Sequence, residues 1–365
     1  MGARKLVTLA AFLLTVVLLG SAVPGCAPAT GGAGGGDAVK VEYKWRFASP
    51  YSFPEANKSF SLFCTLIEEY SGGRVQVSFF PDGSLGSHDE VFSMVREGSL
   101  EMAAGAAMAN LVPGGMTGTM PFSVGTWSEA AFAYAHNGPI MPIMSDAYRD
   151  VGLQAIWSFG TGNLGIANTV APLKSPNDFK NLKNFRVSGS TQAVAAIRNM
   201  AEGSGMSLQT MPWADVYNAL QLGVVDSCWV GWSTLVESRL TEVVKYFTPV
   251  YFLWDAGYIY FNADLWDSLS PDLQEAVMRA GDEAQLRHWE AYRRSELVHR
   301  QRIVEAGIEI YDLTAAEREA FIRKANTPAI WAELVDPWLE EQYPGQNKSA
   351  ALQRELDSIR VAYGG

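Results

Sequence analysis

The residue types that could support catalysis or metal binding are sparse in this 365-residue chain. It has four histidines, and none has a partner at the spacing of a metal site; His288 and His299 lie about three helical turns apart. The sequence contains no His-Glu-x-x-His, Cys-x-x-Cys or Gly-x-Ser-x-Gly motif. A nucleophile and its base can also come from distant residues, so an enzyme stays open as an alternative. The pattern favours a binding protein with no catalytic residue and no cofactor.

One glycine pattern is typical of nucleotide binding. Residues 160–165 read G-x-G-x-x-G after a strand-like segment. A dinucleotide site also needs a helix that begins at this turn and an acidic residue about 20 residues later. Residues 166–171 lack helical character, and Pro172 follows them. We therefore expect the glycines to permit a close backbone crossing or a flat cleft wall.

The most specific pattern lies in two segments, 172–187 (PLKSPNDFKNLKNFRV) and 211–226 (MPWADVYNALQLGVVD). Together they resemble the solute-binding proteins of TRAP transporters, the DctP-like family, which show a "tP-xDlkGlKiRv" segment followed by "sEvYtALQtGvVDG". Weaker agreement extends over most of the chain, at residues 45–48, 72–75, 84–86, 96–102 and 121–122.

The resemblance implies a ligand-binding residue. Arg186 occupies the position of the family arginine that makes a paired contact with the ligand's carboxylate. Arginine suits this role because its planar guanidinium donates two parallel hydrogen bonds and stays charged when desolvated. The alternative is a surface arginine at a strand end. By position in the family, the other expected ligand-binding residues are Tyr51, Trp213, Tyr217, Trp229, Val230, Trp254 and Asp255.

Two of these assignments have alternatives. Tyr217, like Asp226, belongs to the family motif and could serve the fold instead of the ligand. No metal site is expected, although a cation bridging a keto acid through Asp255 stays open.

Differences from the family pattern narrow the range of expected ligands. Many relatives carry a second arginine some 20 residues before the first, where this chain has Leu164, Gly165 and Ile166. Residues 103–107 are apolar where some relatives place a polar contact. A second carboxylate therefore lacks an obvious partner, and we expect a monocarboxylate with an apolar or aromatic body that tryptophan faces can cover. The resemblance implies an ion-driven TRAP permease as the membrane partner.

Strand-like and helix-like segments alternate along the chain, which predicts an α/β fold. One helical pattern is unusually long, from Pro271 to Ala306, with Ser270 as its expected cap. The resemblance implies a two-lobed periplasmic-binding-protein fold of type II-like architecture, with hinge strands and this helix spanning both lobes. We expect lobe I at residues 39–161 and about 256–300. Lobe II is expected at 162–255 and about 301–365, including the C-terminal helices.

The N-terminus predicts export. Residues 1–25 combine a basic head at Arg4 and Lys5 with an apolar core of about 14 residues, which is shorter than the roughly 20 that span a bilayer. The sequence Val-Pro-Gly-Cys ending at Cys26 resembles a bacterial lipobox, so we expect cleavage there and a lipidated Cys26. An ordinary secretory signal is the alternative. The glycine-rich residues 26–38 suit a flexible tether. The expected location is the periplasm or the outer face of the cytoplasmic membrane.

The chain is acidic, with a net charge of −11 that becomes about −13 once Arg4 and Lys5 are removed. This charge argues against a nucleic-acid partner. Cys64 and Cys228 could form a disulfide or remain two free thiols, and their separation in sequence does not decide between these states. A binding protein for another transporter class or for a sensor kinase also remains open.

Overall fold

The structure, a computed structural model, describes residues 40–363. These residues contain two β-sheets with helices packed around them. The first sheet has the order β2-β1-β3-β10-β4, and the second has the order β11-β9-β5-β8-β6-β7. The strands are β1 (Tyr43–Ala48), β2 (Val75–Phe80), β3 (Met102–Gly105), β4 (Leu153–Asn163), β5 (Gly165–Asn168), β6 (Asn184–Val187), β7 (Ser207–Thr210), β8 (Ser227–Val230), β9 (Tyr246–Thr248), β10 (Trp254–Asn262) and β11 (Glu309–Ile310).

The helices cover the faces of both sheets and extend to the C-terminal end. They are α1 (Pro54–Tyr70), α2 (His88–Arg96), α3 (Trp127–Ala133), α4 (Met141–Arg149), α5 (Thr191–Met200), α6 (Val216–Gln221), α7 (Trp232–Glu237), α8 (Ala263–Ser268), α9 (Pro271–Glu305), α10 (Ala315–Ala325), α11 (Thr327–Leu334), α12 (Asp336–Gln342) and α13 (Lys348–Tyr363).

The first sheet is the centre of lobe I. Its strands β1, β2 and β3 run parallel and are connected by α1 and α2. Phe60, Phe63 and Ile67 recur on one face of α1, as the helical period requires, and they are fully buried. They share a core with Trp45 and Phe47, which point from β1 towards the same layer. The apolar period of α1 therefore fixes it against the sheet.

The second sheet is the centre of lobe II. β5 pairs antiparallel with both β8 and β9, whereas β6 pairs parallel with β7 and β8. Its core includes Val230 from β8, Phe247 from β9 and Ile303 from α9. The expected α/β fold with two lobes is confirmed.

Two strands connect the lobes. β4 and β10 pair antiparallel in the first sheet, up to Asn163 opposite Trp254. The next residue, Leu164, exchanges backbone hydrogen bonds with Leu253 (2.9 Å) and Phe252 (3.2 Å), and β5 then begins in the second sheet. These two adjacent crossings, at the junction of β4 with β5 and at the start of β10, form a hinge. The hinge strands were predicted from the family resemblance.

The long helix α9 has 35 residues, which corresponds to about 52 Å. It packs against α1 and β4 in lobe I, and against α7 and β11 in lobe II. The expected helix spanning both lobes is therefore present, from Pro271 to Glu305. Ser270 occupies the N-cap position as expected, although its side chain accepts no capping hydrogen bond.

The C-terminal helices cross between the lobes. α10 and α11 pack on α5 of lobe II. α12 lies against the short 3-10 helix Pro113–Thr119, and α13 lies against α3, which are both in lobe I. The segment of about residues 301–365, expected within lobe II, is therefore divided between the lobes. Its last two helices pack on the other lobe.

The N-terminal predictions, namely the signal at residues 1–25, lipidated Cys26 and the tether at 26–38, lie outside the described residues. Within residues 40–363, no helix is both long and apolar enough to cross a membrane. Cys64 and Cys228 are both free and buried, Cys64 in the core of lobe I and Cys228 in that of lobe II. The disulfide alternative is thereby excluded for this structure.

Candidate ligand-binding site

A cavity of about 290 Å³ lies between the lobes at the hinge, and we call it the interlobe cavity. Lobe I contributes mainly aromatic and apolar residues: Tyr51, Phe53, Ala106, Met108 and Phe159. Lobe II contributes Arg186, Ser188, Trp213, Trp229, Val230, Gly231 and Thr234. The hinge contributes Thr161, Leu164, Asp255, Ala256 and Gly257. The cavity is therefore bounded by both lobes and by the strands that join them.

Arg186 supplies the positive charge of the cavity. It lies on β6, whose parallel pairing with β7 and β8 buries the residue to 4% exposure. Its Nε and Nη2 donate to the carbonyl oxygen of Met211 at 3.2 and 2.9 Å, and its guanidinium lies 5.2 Å from the ring centre of Trp213. Burial lowers the pKa of Arg186.

No carboxylate compensates this guanidinium. Among residues 40–363, Arg186 forms no salt bridge within 4.0 Å, and its Nη1 makes no hydrogen bond. Isolating a charge from water is costly unless a partner replaces the lost hydration. The charge of Arg186 is therefore left without a counter-charge among the described residues.

Asp255 supplies the negative charge of the cavity. It lies near the start of β10, and the hydroxyl group of Thr161 donates a hydrogen bond to its Oδ2. Burial raises the pKa of the Asp255 carboxyl, and the hydrogen bond from Thr161 partly offsets this effect. Like Arg186, Asp255 forms no salt bridge within the part of the chain that the structure describes.

Aromatic rings form the walls between these two charges. Tyr51 stacks on Phe53 with ring centres 5.5 Å apart and meets Phe159 edge-on at 5.8 Å. The hydroxyl oxygen of Tyr51 accepts a hydrogen bond from the backbone N–H of Ala106 at 2.9 Å, so the ring orientation is fixed. Burial raises the pKa of Tyr51, with a smaller contribution from the charge of Asp255.

Local backbone geometry places Thr161 and Asp255 together. In the pairing of β4 with β10, Ala256 lies opposite Gly160 and Asp255 lies opposite Gly162, so Thr161 is an additional residue on its strand. Such a bulge redirects side chains. Gly162 has φ +99°, and a Cβ at Gly160 would lie 2.6 Å from the carbonyl oxygen of Asp255. The glycines of the G-x-G-x-x-G pattern thus permit close strand packing, and β5 follows them where a dinucleotide site needs a helix.

Six of the predicted ligand-binding residues line the interlobe cavity: Tyr51, Arg186, Trp213, Trp229, Val230 and Asp255. Trp254 does not, because consecutive residues of a strand point to opposite faces. Its ring packs edge-on against Trp127 with centres 4.7 Å apart.

Tyr217 is also outside the cavity lining. Its hydroxyl donates to Glu242 at 2.8 Å, and Arg239 lies over its ring at 6.0 Å. The carboxylate of Asp226, the other residue weighed for a structural role, accepts from the backbone N–H of Lys183 and Asn184. Both motif residues therefore stabilise lobe II away from the cavity.

Several lining residues were not predicted from the sequence, notably Phe53, Phe159 and Thr161. Phe159 lies on β4 before the bulge. Phe53 lies two residues after Tyr51, on the segment that leaves β1. The bulge at Thr161 depends on pairing with β10, and no sequence signal indicated it.

A second cavity, also of about 290 Å³, is lined in part by residues on the opposite face of the hinge strands. We call it the rear cavity. It is lined by Phe122, Gly125, Thr126, Trp127, Glu129, Asn163, Tyr251, Trp254, Glu296, Arg318 and Arg360. A larger groove of about 640 Å³ between α3 and α9 contains none of the predicted site residues. Within residues 40–363, no group of three or more His, Cys, Asp or Glu residues is arranged to hold a metal ion.

Two α/β lobes, joined by hinge strands and enclosing a cavity lined by one basic and one acidic residue, are the architecture of a solute-binding protein. The sequence profile described as bacterial extracellular solute-binding protein, family 7 (DctP) matches residues 50–335. This match covers most of the chain, and the chain belongs to that family. The expected TRAP-type solute-binding protein is confirmed, and so is its place in a family of transport proteins outside the cytoplasm.

Curated relatives agree with this assignment. The 2,3-diketo-L-gulonate-binding periplasmic protein YiaO of Escherichia coli (strain K12) is 27% identical over 267 residues, which are 71% of this chain and 77% of the relative. The C4-dicarboxylate-binding periplasmic protein DctP of Rhodobacter capsulatus is 27% identical over 296 residues, 78% of this chain and 81% of the relative.

Solved structures share the fold. A TRAP periplasmic solute-binding protein from Ochrobactrum anthropi superimposes with a TM-score of 0.78 at 22% identity, covering 88% of this chain and 97% of the other. A TRAP periplasmic solute-binding protein from Desulfovibrio salexigens, solved with bound orotic acid, gives a TM-score of 0.74 at 22% identity and covers 87% and 99%. These similarities establish the two-lobed architecture.

Proposed function

We propose that this protein captures a small organic acid in the interlobe cavity through a contact between Arg186 and the ligand's carboxylate. The observation that supports this most directly is the buried guanidinium of Arg186, which faces a cavity and has no carboxylate partner among the described residues. Charge-assisted hydrogen bonds from a planar guanidinium to a carboxylate are among the strongest available in a desolvated site. Relatives named for 2,3-diketo-L-gulonate and C4-dicarboxylates, and a neighbour with bound orotic acid, fit an acidic ligand.

The ligand is a monocarboxylate with an apolar or aromatic body. Arg186 is the one basic residue among those lining the cavity, so a second carboxylate would find no cation there and would face Asp255. The rings of Tyr51, Phe159, Trp213 and Trp229 offer apolar faces to the remainder of the molecule. Arg186 and these walls together discriminate against dicarboxylates.

Binding closes the two lobes at the hinge, and the closed form delivers the ligand to a TRAP-type membrane permease. The hinge strands β4 and β10 are the elements that would absorb this motion. Lipidation at Cys26, followed by the tether at residues 26–38, holds the protein at the outer face of the cytoplasmic membrane. The protein acts as a carrier and performs no reaction on its ligand.

Identification of the bound molecule tests this proposal. The purified protein is denatured, and the released small molecules are identified by mass spectrometry. Organic acids chosen from that result are then titrated calorimetrically. Arg186→Ala should abolish or strongly weaken binding, whereas Arg323→Ala, an exposed arginine paired with Glu319, should leave affinity unchanged. Equal affinity in the wild type and in Arg186→Ala would refute the Arg186 contact, and conversion of the acid during incubation would indicate an enzyme.

A further inference from the structure

The interlobe cavity contains two charges of opposite sign that do not neutralise each other. Arg186 and Asp255 both line it, yet they form no salt bridge within 4.0 Å, with each other or with any other described residue. Asp255 accepts one hydrogen bond, from Thr161, and that bond engages only its Oδ2. A buried charge without a counter-charge is costly. Two such charges of opposite sign at one cavity indicate a guest that supplies both counter-charges.

The surroundings of Asp255 suit a positively charged nitrogen. Tyr51 and Phe159 line the same cavity as Asp255. Aromatic faces attract ammonium groups through their negative π surfaces, and a neighbouring carboxylate adds a direct ionic partner. A metal ion is a poorer match, since the described residues provide no cluster of three or more side chains that could bind it.

The two charges lie on different parts of the cavity wall. Arg186 is on β6 in lobe II beside Trp213, whereas Asp255 is on β10 at the hinge beside Thr161. A single ligand that reaches both would join lobe II to the hinge.

We propose that the ligand is zwitterionic: its carboxylate contacts Arg186 and a protonated amine on the same molecule contacts Asp255. This inference rests on the proposed function, because it takes the Arg186 contact as given and assigns the opposite end of the ligand. Asp255 is then the residue that selects amine-bearing acids over simple acids. A dicarboxylate is rejected at the same position, where its second negative charge would meet Asp255.

Matched pairs of acids test this selection. Isothermal titration measures the affinity of butyrate against 4-aminobutyrate, and of 3-phenylpropionate against L-phenylalanine, so that each pair differs by one amine. Mass spectrometry shows whether the molecule that copurifies carries an amine. We expect an amine in that molecule, and we expect the amine-bearing member of at least one pair to bind about ten-fold more tightly or better. Asp255→Asn should remove that preference.

The variants separate the failure of this inference from that of the proposed function. Arg186→Gln should abolish binding of acids with and without the amine, whereas Asp255→Asn should lower the affinity for the amine-bearing member of a pair relative to its amine-free partner. Circular dichroism shows whether each variant is folded. The zwitterion is refuted if the copurifying acid lacks an amine, if amine-free acids bind as tightly as their partners, or if the preference survives in Asp255→Asn. If one of these results is found and acid binding still requires Arg186, the zwitterion is refuted but the proposed function is retained. Acid binding that is independent of Arg186 overturns both.

Discussion

The interlobe cavity and the rear cavity have the same volume, about 290 Å³, and the same two hinge strands contribute to both. Asp255 of β10 lines the first and its neighbour Trp254 lines the second. Both cavities combine aromatic rings with arginine and acidic side chains. Size and composition therefore do not distinguish them.

They differ in how their charges are satisfied. In the rear cavity, Arg360 donates to Asp357 and to the backbone carbonyls of Phe122 and Ser123. Glu296 accepts from the indole N–H of Trp127 at 2.6 Å.

The other arginine of the rear cavity, Arg318, forms no salt bridge within 4.0 Å among the described residues, and its buried Nε makes no hydrogen bond. Arg318 donates to the carbonyl oxygen of Tyr251, and the negative charge of Glu129 raises its pKa against the larger opposing effect of burial. In the interlobe cavity, neither Arg186 nor Asp255 has a compensating charge of this kind. The two cavities thus differ in whether their acidic and basic residues act on each other, as Glu129 acts on Arg318, and not in volume.

The largest expected effect is on ligand affinity. Arg186→Ala should weaken binding of the copurifying acid by about 2–5 kcal/mol, because it removes a buried charge-assisted contact. The matched change in the rear cavity, Arg318→Ala, should leave the dissociation constant nearly unchanged in the same calorimetric titration. Comparable losses in both variants would show that the two cavities do not differ in function.

Gly162 lies on β4 between Thr161, which lines the interlobe cavity, and Asn163, which lines the rear cavity. Its φ of +99° disfavours any side chain, and an added Cβ would lie 2.9 Å from the ring of Trp127. Gly162→Ala should therefore lower the free energy of unfolding by about 1–3 kcal/mol, measured by urea denaturation. Gly223→Ala is the matched control, since its φ is +70° with open space around it, and it should cost less. Equal costs would mean that contact with Trp127 is unimportant.

Changing one tryptophan in each cavity should have a smaller effect on ligand affinity, and the effect should differ between the two cavities. Trp213 lies against the guanidinium of Arg186, so Trp213→Ala should weaken ligand binding by about 0.5–2 kcal/mol. Trp254→Phe, which keeps a ring in the rear cavity, should leave affinity unaltered. Quenching of intrinsic fluorescence on titration offers an independent measurement. An effect of Trp254→Phe as large as that of Trp213→Ala would contradict the assignment of Trp254 to the rear cavity.

The smallest expected effect is on the pH dependence of stability. Burial raises the pKa of the Asp255 carboxyl in the folded protein. The folded state is therefore most favoured by Asp255 at pH values below the pKa that this residue has in the unfolded chain. This stabilisation declines as the pH rises towards the pKa of Asp255 in the folded protein. Without ligand, Asp255→Asn should therefore become progressively more stable than the wild type as pH increases from about 4. Glu275→Gln, at an exposed position on α9, serves as the control in urea titrations across that range. A difference that stays constant with pH would exclude a raised pKa.

The sequence predicted the parts of this structure that depend on local pattern. The alternation of strand-like and helix-like segments indicated the α/β class, and the long helical pattern that begins at Pro271 indicated α9. The family motif identified Arg186, which lies where a ligand could reach it. It could also have been predicted that Trp254 and Asp255 line different cavities, because neighbouring residues of a strand face opposite sides.

Other features depend on tertiary structure and had no local signal. The bulge at Thr161 exists only because β4 pairs with β10. Helices α3 and α4 and the 3-10 helix Pro113–Thr119 were not predicted, since this region is rich in small residues and glycines with weak periodicity. α13 returns to lobe I through packing on α3, which a one-dimensional pattern does not reveal.

Within residues 40–363, the two cysteines are both free thiols, and this has a practical consequence. Cys64 lies in the core of lobe I and Cys228 in that of lobe II, and burial raises the pKa of each to about 12. Neither should react with an alkylating reagent until its own lobe opens. Peptide mapping after timed alkylation would therefore report the opening of each half separately, without introduced labels. Simultaneous modification would show that the halves lose their structure in one cooperative event.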